Sequence, residues 1–111
     1  MEKNEEKTRG KVIFKDDIEY SDSSVISKLI IRKEAGNITL FSFDKGQFLS
    51  EHTAPYDALV QVVEGNAEIL IDGKSFLLTD GEAIIMPADV PHAVKAPEKF
   101  KMLLTMIKSK Q

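Results

Sequence analysis

The sequence predicts an all-β fold, a closed barrel or sandwich of short antiparallel strands. Three observations predict it. Runs rich in β-branched and aromatic residues recur at short intervals, glycine-containing pairs separate them, and apolar residues alternate with a period of two inside several runs. The runs are 25–32, 38–44, 58–64, 67–71, 76–78, 83–86, 92–95 and 100–107, with a further short strand at 12–14 ahead of them.

Taken in order, residues 1–10 carry charge at Glu2, Lys3, Glu5, Glu6, Lys7 and Arg9 without apolar periodicity. Such a segment buries too little surface to offset its ordering entropy, so a frayed tail is expected, followed by one domain over 11–111. Residues 15–24 have room for one helical turn before the first long strand. After a turn at Gly36-Asn37, the run from 38 places Ile38 and Leu40 opposite Phe41 and Phe43. Both faces of that strand are therefore apolar, and its outer face is expected to be covered by another strand or another subunit.

Lys45-Gly46, Glu64-Gly65 and Asp80-Gly81 supply the positive φ that reversals need. Between Glu64-Gly65 and the next turn, Ala67, Ile69 and Ile71 share one face while Glu68 and Leu70 share the other, which implies one buried and one wetter side. Asp72-Gly73 is a two-residue hairpin signal between Ile69-Leu70-Ile71 and Ser75-Phe76-Leu77. Pro87 and Pro91 bracket a tight bend that delivers His92 to the following strand. The last run, Phe100 to Ile107, has an apolar density that also suits a short buried helix; it is read here as a strand.

Composition narrows the function. The formal net charge is −3 with no basic cluster, which removes the electrostatic footprint of a nucleic-acid binder. With no cysteine there is no disulfide, thiolate metal site or cysteine nucleophile. The polar N-terminus lacks the apolar segment of an export signal, and no apolar stretch approaches the ~20 residues of a membrane helix. A globular chain in the cytoplasm, without membrane or nucleic-acid partners, is expected.

Two segments carry more information. The first runs Gly46-Gln-Phe-Leu-Ser-Glu-His52-Thr-Ala54-Pro-Tyr-Asp-Ala58 and on to Gly65; the second runs Gly81-Glu-Ala-Ile-Ile-Met-Pro87-Ala-Asp89-Val-Pro91-His92-Ala-Val-Lys-Ala96. Together they resemble the two motifs of the cupin superfamily, in spacing throughout, over roughly residues 25–107. The fifteen residues between Gly65 and Gly81 are similar to the compact spacing of small bacterial, RmlC-like cupins. The resemblance implies a double-stranded β-helix, a jelly-roll barrel of antiparallel strands that encloses a pocket when wide enough. It also implies a homodimer.

The family's four metal-ligand positions fall here on His52, Ala54, Ala58 and His92, so two imidazoles remain and two ligands have become methyl groups. Asp89 stands where the second motif has glycine, and Ala96 where it has asparagine. A catalytic first-row metal keeps at least three protein ligands, so the expectation is no tightly bound catalytic metal. Glu51, Asp57, Tyr56 and Gln61 are chemically able to step in. Regular strand parity puts Glu51, Asp57 and Gln61 on the opposite face, and only Tyr56 has the inward parity.

His52 and His92 are the only histidines, and both fall on inward motif positions. They either cap the barrel mouth structurally or form a neutral or proton-sharing pair that binds a ligand or performs acid–base work. Phe48, Tyr56, Val60 and Met86 are the expected ligand-binding neighbours, with Val62, Val94, Phe41 and Met102 also inward. Three functions follow: a small-molecule binder of unknown ligand organised by the two histidines; an enzyme, either metal-free or an oxygenase or isomerase using a divalent first-row ion held by His52, His92 and an irregular ligand; or a filled barrel that acts through its outer surface.

Overall fold

The computed structural model describes residues 10–108. A short 3-10 turn at Phe14–Asp16 precedes eight strands: β1 Val25–Lys33, β2 Gly36–Phe43, β3 Phe48–His52, β4 Tyr56–Ile71, β5 Lys74–Thr79, β6 Ala83–Met86, β7 His92–Lys95 and β8 Phe100–Lys108. All pairings are antiparallel. One sheet runs β1-β2-β8-β4-β6 and the other β3-β7-β4-β5, so β4 belongs to both. The result is the jelly-roll barrel. Among the described residues no helix is long and apolar enough to cross a membrane.

The segments expected as separate strands at 58–64 and 67–71 are one sixteen-residue strand. Its first half pairs β8 and β6, its second half β5 and β7. Gly65 is therefore a bend and not a reversal. Its φ of 96° lies in the left-handed region, and a Cβ there would stand 2.3 Å from the Lys99 carbonyl oxygen and 2.8 Å from the Phe100 Cβ. Glycine is dictated twice at this point, by conformation and by the close approach of β8.

That approach builds the closed end of the barrel. Phe100 and Phe43 are registered opposite one another and stack, with ring centroids 4.5 Å apart and planes 10° from parallel. Both are fully buried, together with Val60, Val62, Ile69 and Val94. Directly paired residues share a face of a sheet, so the concave side of β2 presents Phe41 and Phe43 while Ile38 and Leu40 face outward.

The outward pair shows a departure from expectation. Leu40 is fully buried, but its cover is the chain's own N-terminal segment, with Ile18 and Phe14 packed against Leu40 and Leu103. Polar anchors hold that segment down. The Lys28 Nζ lies 3.0 Å from the Asp17 carboxylate, the Ser42 hydroxyl donates to the Glu19 carbonyl at 2.8 Å, and the Tyr20 hydroxyl donates to the Glu64 carboxylate at 2.7 Å.

Other differences have local causes. The strand expected at 12–14 does not form; Val12 and Ile13 are exposed and Phe14 opens the 3-10 turn instead. The Gly36-Asn37 reversal moves to Glu34 and Ala35, and Gly36 sits inside β2 because a Cβ would reach 2.0 Å from the Met106 carbonyl oxygen. β3, absent from the expected strands, is an edge strand of mostly exposed residues. The Asp72-Gly73 hairpin is as expected, with φ of 52° and 81°, and residues 100–107 form a strand. The tail expected at 1–10 lies, up to Arg9, outside the described residues.

Gly65→Ala should lower the unfolding free energy by about 2–5 kcal/mol, combining left-handed strain with overpacking. Gly46→Ala, at φ 87° with open space around it, should lose only the strain, about 1–2 kcal/mol. Urea denaturation of the two variants checks this; equal losses would remove the close approach as the reason for glycine at 65.

Candidate functional site

The end of the barrel opposite the phenylalanine stack holds both histidines. His92 opens β7 and His52 closes β3, and they are direct partners in the β3–β7 ladder. Between Leu49 and His52 the register of β3 slips. In a regular strand Phe48 and His52 would share a face; the bulge exchanges them, so that Leu49 and His52 point inward and Phe48 is 59% exposed.

His92 is delivered by the bend between the two prolines. Asp89, at the motif position where glycine was expected, adopts φ 64°, a conformation that Asp tolerates better than most residues. Its N–H donates to the Ala54 carbonyl at 2.8 Å, and the Ala88 N–H donates to the Asp57 carboxylate at 3.0 Å. The bend is thus fastened to the β3–β4 connection at Ala54 and to the start of β4 at Asp57, and the two histidines are held in mutual register.

Each imidazole Nδ1 lies beside a backbone carbonyl, His52 at 2.7 Å from Ser50 and His92 at 3.2 Å from Val90. A carbonyl oxygen only accepts, so Nδ1 carries the hydrogen on both rings. The two Nε2 atoms then face each other at 3.2 Å, with the rings edge to face at a 4.4 Å centroid separation. Two bare lone pairs at that distance repel. The arrangement calls for one hydrogen, either a proton shared between the rings or a donor presented by a bound molecule.

His92 is only 7% exposed, whereas His52 is exposed at the mouth. Burial, and then the positive charge that His52 carries when protonated, hold His92 below the ordinary histidine range.

The pair borders a cavity of about 290 Å³, otherwise lined by Phe41, Leu49, Ala54, Tyr56, Ala58, Met86, Val94, Met102, Leu104 and Met106. Of the expected neighbours, Tyr56 and Met86 line it. Phe48 does not, because of the bulge, and Val60 does not: it is fully buried in the core cluster with Val62. Leu49, Leu104 and Met106 were not anticipated. For the last two, the alternation of Met102, Leu104 and Met106 along β8 was the available signal.

As a metal centre the donor set falls short. Ala54 and Ala58 place methyl groups at the cavity wall, and Glu51, Asp57 and Gln61 are all exposed and absent from it. Among the described residues no three of His, Cys, Asp and Glu come together. A catalytic first-row ion usually keeps at least three protein donors; the cavity lining offers the His52 and His92 imidazoles, with Tyr56 the remaining lining residue that carries a side-chain oxygen.

A jelly-roll barrel closed at one end and presenting two converging imidazoles at the other defines a cupin-type β-barrel. A family model described as "Cupin domain" matches residues 39–108, and the chain belongs to that family. It is similar to a conserved protein of unknown function from Streptococcus pyogenes, with 36% identity and a TM-score of 0.86 over 92% of this chain and 90% of that one. It is also similar to a cupin 2 conserved barrel domain protein from Leptotrichia buccalis, with 41% identity and a TM-score of 0.82 over 85% of this chain and 46% of the other. A curated relative, polyketide synthase CurC of Streptomyces cyaneus, is 30% identical over 70 residues, 62% of this chain; the matched region spans 46% of that relative's length.

A histidine whose folded pKa is depressed stays neutral while the unfolded chain takes up a proton. Stability therefore falls as pH drops through the ordinary value near 6.5 and levels off below the lowered value. His92→Gln should flatten that slope in thermal melts between pH 7.5 and 5. In NMR titrations His52→Ala should move the His92 midpoint upward, yet leave it below 6.5 because burial persists; an unmoved midpoint would remove the coupling.

Proposed function

We propose that the chain is a small-molecule-binding cupin that holds its ligand against the His52–His92 pair and works without a tightly bound catalytic metal. The observation that carries this is the approach of the two Nε2 atoms, 3.2 Å apart, at the edge of a cavity whose other walls are almost wholly apolar. Such a space favours an apolar body, and the paired lone pairs single out one hydrogen-bonding group on it. The methyl groups of Ala54 and Ala58 leave room where larger donors would stand.

The binding unit in this reading is a homodimer. Directly paired residues place Ile31, Ile38, Thr105, Leu59 and Ile85 in one row across all five strands of the first sheet. The row lies on the convex face, and its ends, Ile31 and Ile85, are 46% and 62% exposed. Ile38 packs against the Ile18–Leu40 cluster, while the exposed ends of the row give a second copy an apolar surface to bury.

Protein purified without chelators should contain far less than one metal ion per chain by inductively coupled plasma mass spectrometry. Stoichiometric metal that disappears in both His52→Ala and His92→Ala would overturn the metal-free reading. Sedimentation velocity should show a dimer for the unaltered chain and a monomer for Ile85→Lys; an unaltered chain that sediments as a monomer would end the dimer proposal.

A further inference from the structure

Beside the cavity lies a wider, open groove of about 680 Å³, lined by Leu29, Arg32, Lys33, Glu34, Gly36, Asn37, Thr39, Tyr56 and Lys108. Tyr56 lines both spaces. The register puts the two on one face of the sheet. Arg32 pairs with Asn37, Asn37 with Met106, and Met106 with Ala58. Direct partners point to the same side of a sheet, so Arg32 projects from the concave face that carries the cavity wall. Lys108 pairs with Tyr56 and shares that face.

β1 reaches this position through its own irregularity. A register shift between Leu29 and Ile31 returns Leu29 and Arg32 to the concave side and leaves Ile31 on the convex one. The edge strand thus extends the barrel's inner surface past its mouth and ends it in a cation. Among the described residues three cations, Arg32, Lys33 and Lys108, line the groove against one carboxylate, Glu34. The described lining of the cavity beyond carries no Asp, Glu, Lys or Arg.

Resting on the cavity reading above, we infer that the ligand class is a small amphipathic anion, a carboxylate whose apolar body enters the barrel while its head group stays in the groove at Arg32 and Lys108. Two strand spacings separate Arg32 from Met106, so a head group at Arg32 stands on the order of 10 Å from the cavity wall. The polarity runs one way. The cavity lining is almost wholly apolar and suits an uncharged end, whereas the guanidinium at the rim is always charged and offers a two-pronged donor to a carboxylate.

The test uses three probes with one eight-carbon chain: octanoate, 1-octanol and octylammonium, titrated against the full chain and followed by amide shifts in NMR. Octanoate should bind roughly five- to tenfold more tightly than 1-octanol at low salt, the scale of two exposed ion pairs. Octylammonium should bind most weakly, and the octanoate advantage should shrink as salt rises. Arg32→Gln combined with Lys108→Gln should abolish the advantage while leaving 1-octanol binding intact; both residues are exposed. Equal binding of octanoate and 1-octanol would overturn the head-group assignment and leave the cavity reading standing. An advantage that survives the double variant but is lost in His52→Gln would overturn it by placing the carboxylate on the imidazoles. Binding by none of the three would remove the cavity reading, and this inference with it.

Discussion

The passage of β4 from one sheet to the other is the constraint on which the remaining structure depends. Sixteen residues of continuous strand pair with four neighbours, and the bend that allows it is available only where a residue without a side chain meets the Lys99-Phe100 backbone. Upstream of Gly65 the strand contributes Tyr56 and Ala58 to the cavity; at the bend itself it admits the Phe100 ring that seals the opposite end. One residue thereby separates a filled half of the barrel from a hollow half.

The hollow half is shaped by interruptions of regular geometry. A bulge in β3 turns His52 inward, a left-handed aspartate in the bend between two prolines brings His92 alongside it, and a register shift in β1 aims Arg32 at the mouth. In each case the irregularity re-aims a side chain that ideal alternation would have pointed elsewhere, which is the general use of bulges near sites. The packed half has its own register shift, between Val62 and Glu64, yet its inward residues still close on one another.

This division explains how much was legible beforehand. The barrel, the Asp72-Gly73 hairpin and the inward direction of His52 and His92 follow from motif spacing and turn chemistry, which are local. Regular parity points Phe48 into the pocket, and the β3 bulge breaks that parity; Gly65 reads as a reversal because a glycine that turns the chain and one that yields to a neighbouring strand look alike in one dimension. Val60 has the inward direction yet is closed over by the core cluster, since alternation gives the face of a strand and not whether neighbours fill the space before it. The groove at Arg32 was out of reach because it joins residues 29–39 to 56 and 108, a proximity set by strand order. The cover over Leu40 was likewise missed, because the short 14–18 segment carries little pattern of its own.

Among the described residues, the stacked phenylalanines fill the end of the barrel away from the histidines. A molecule that took up the proposed place in the cavity would arrive and depart past the same few side chains, Tyr56 and His52 among them. Its exchange would then depend on the rim and not on fluctuations of the packed half.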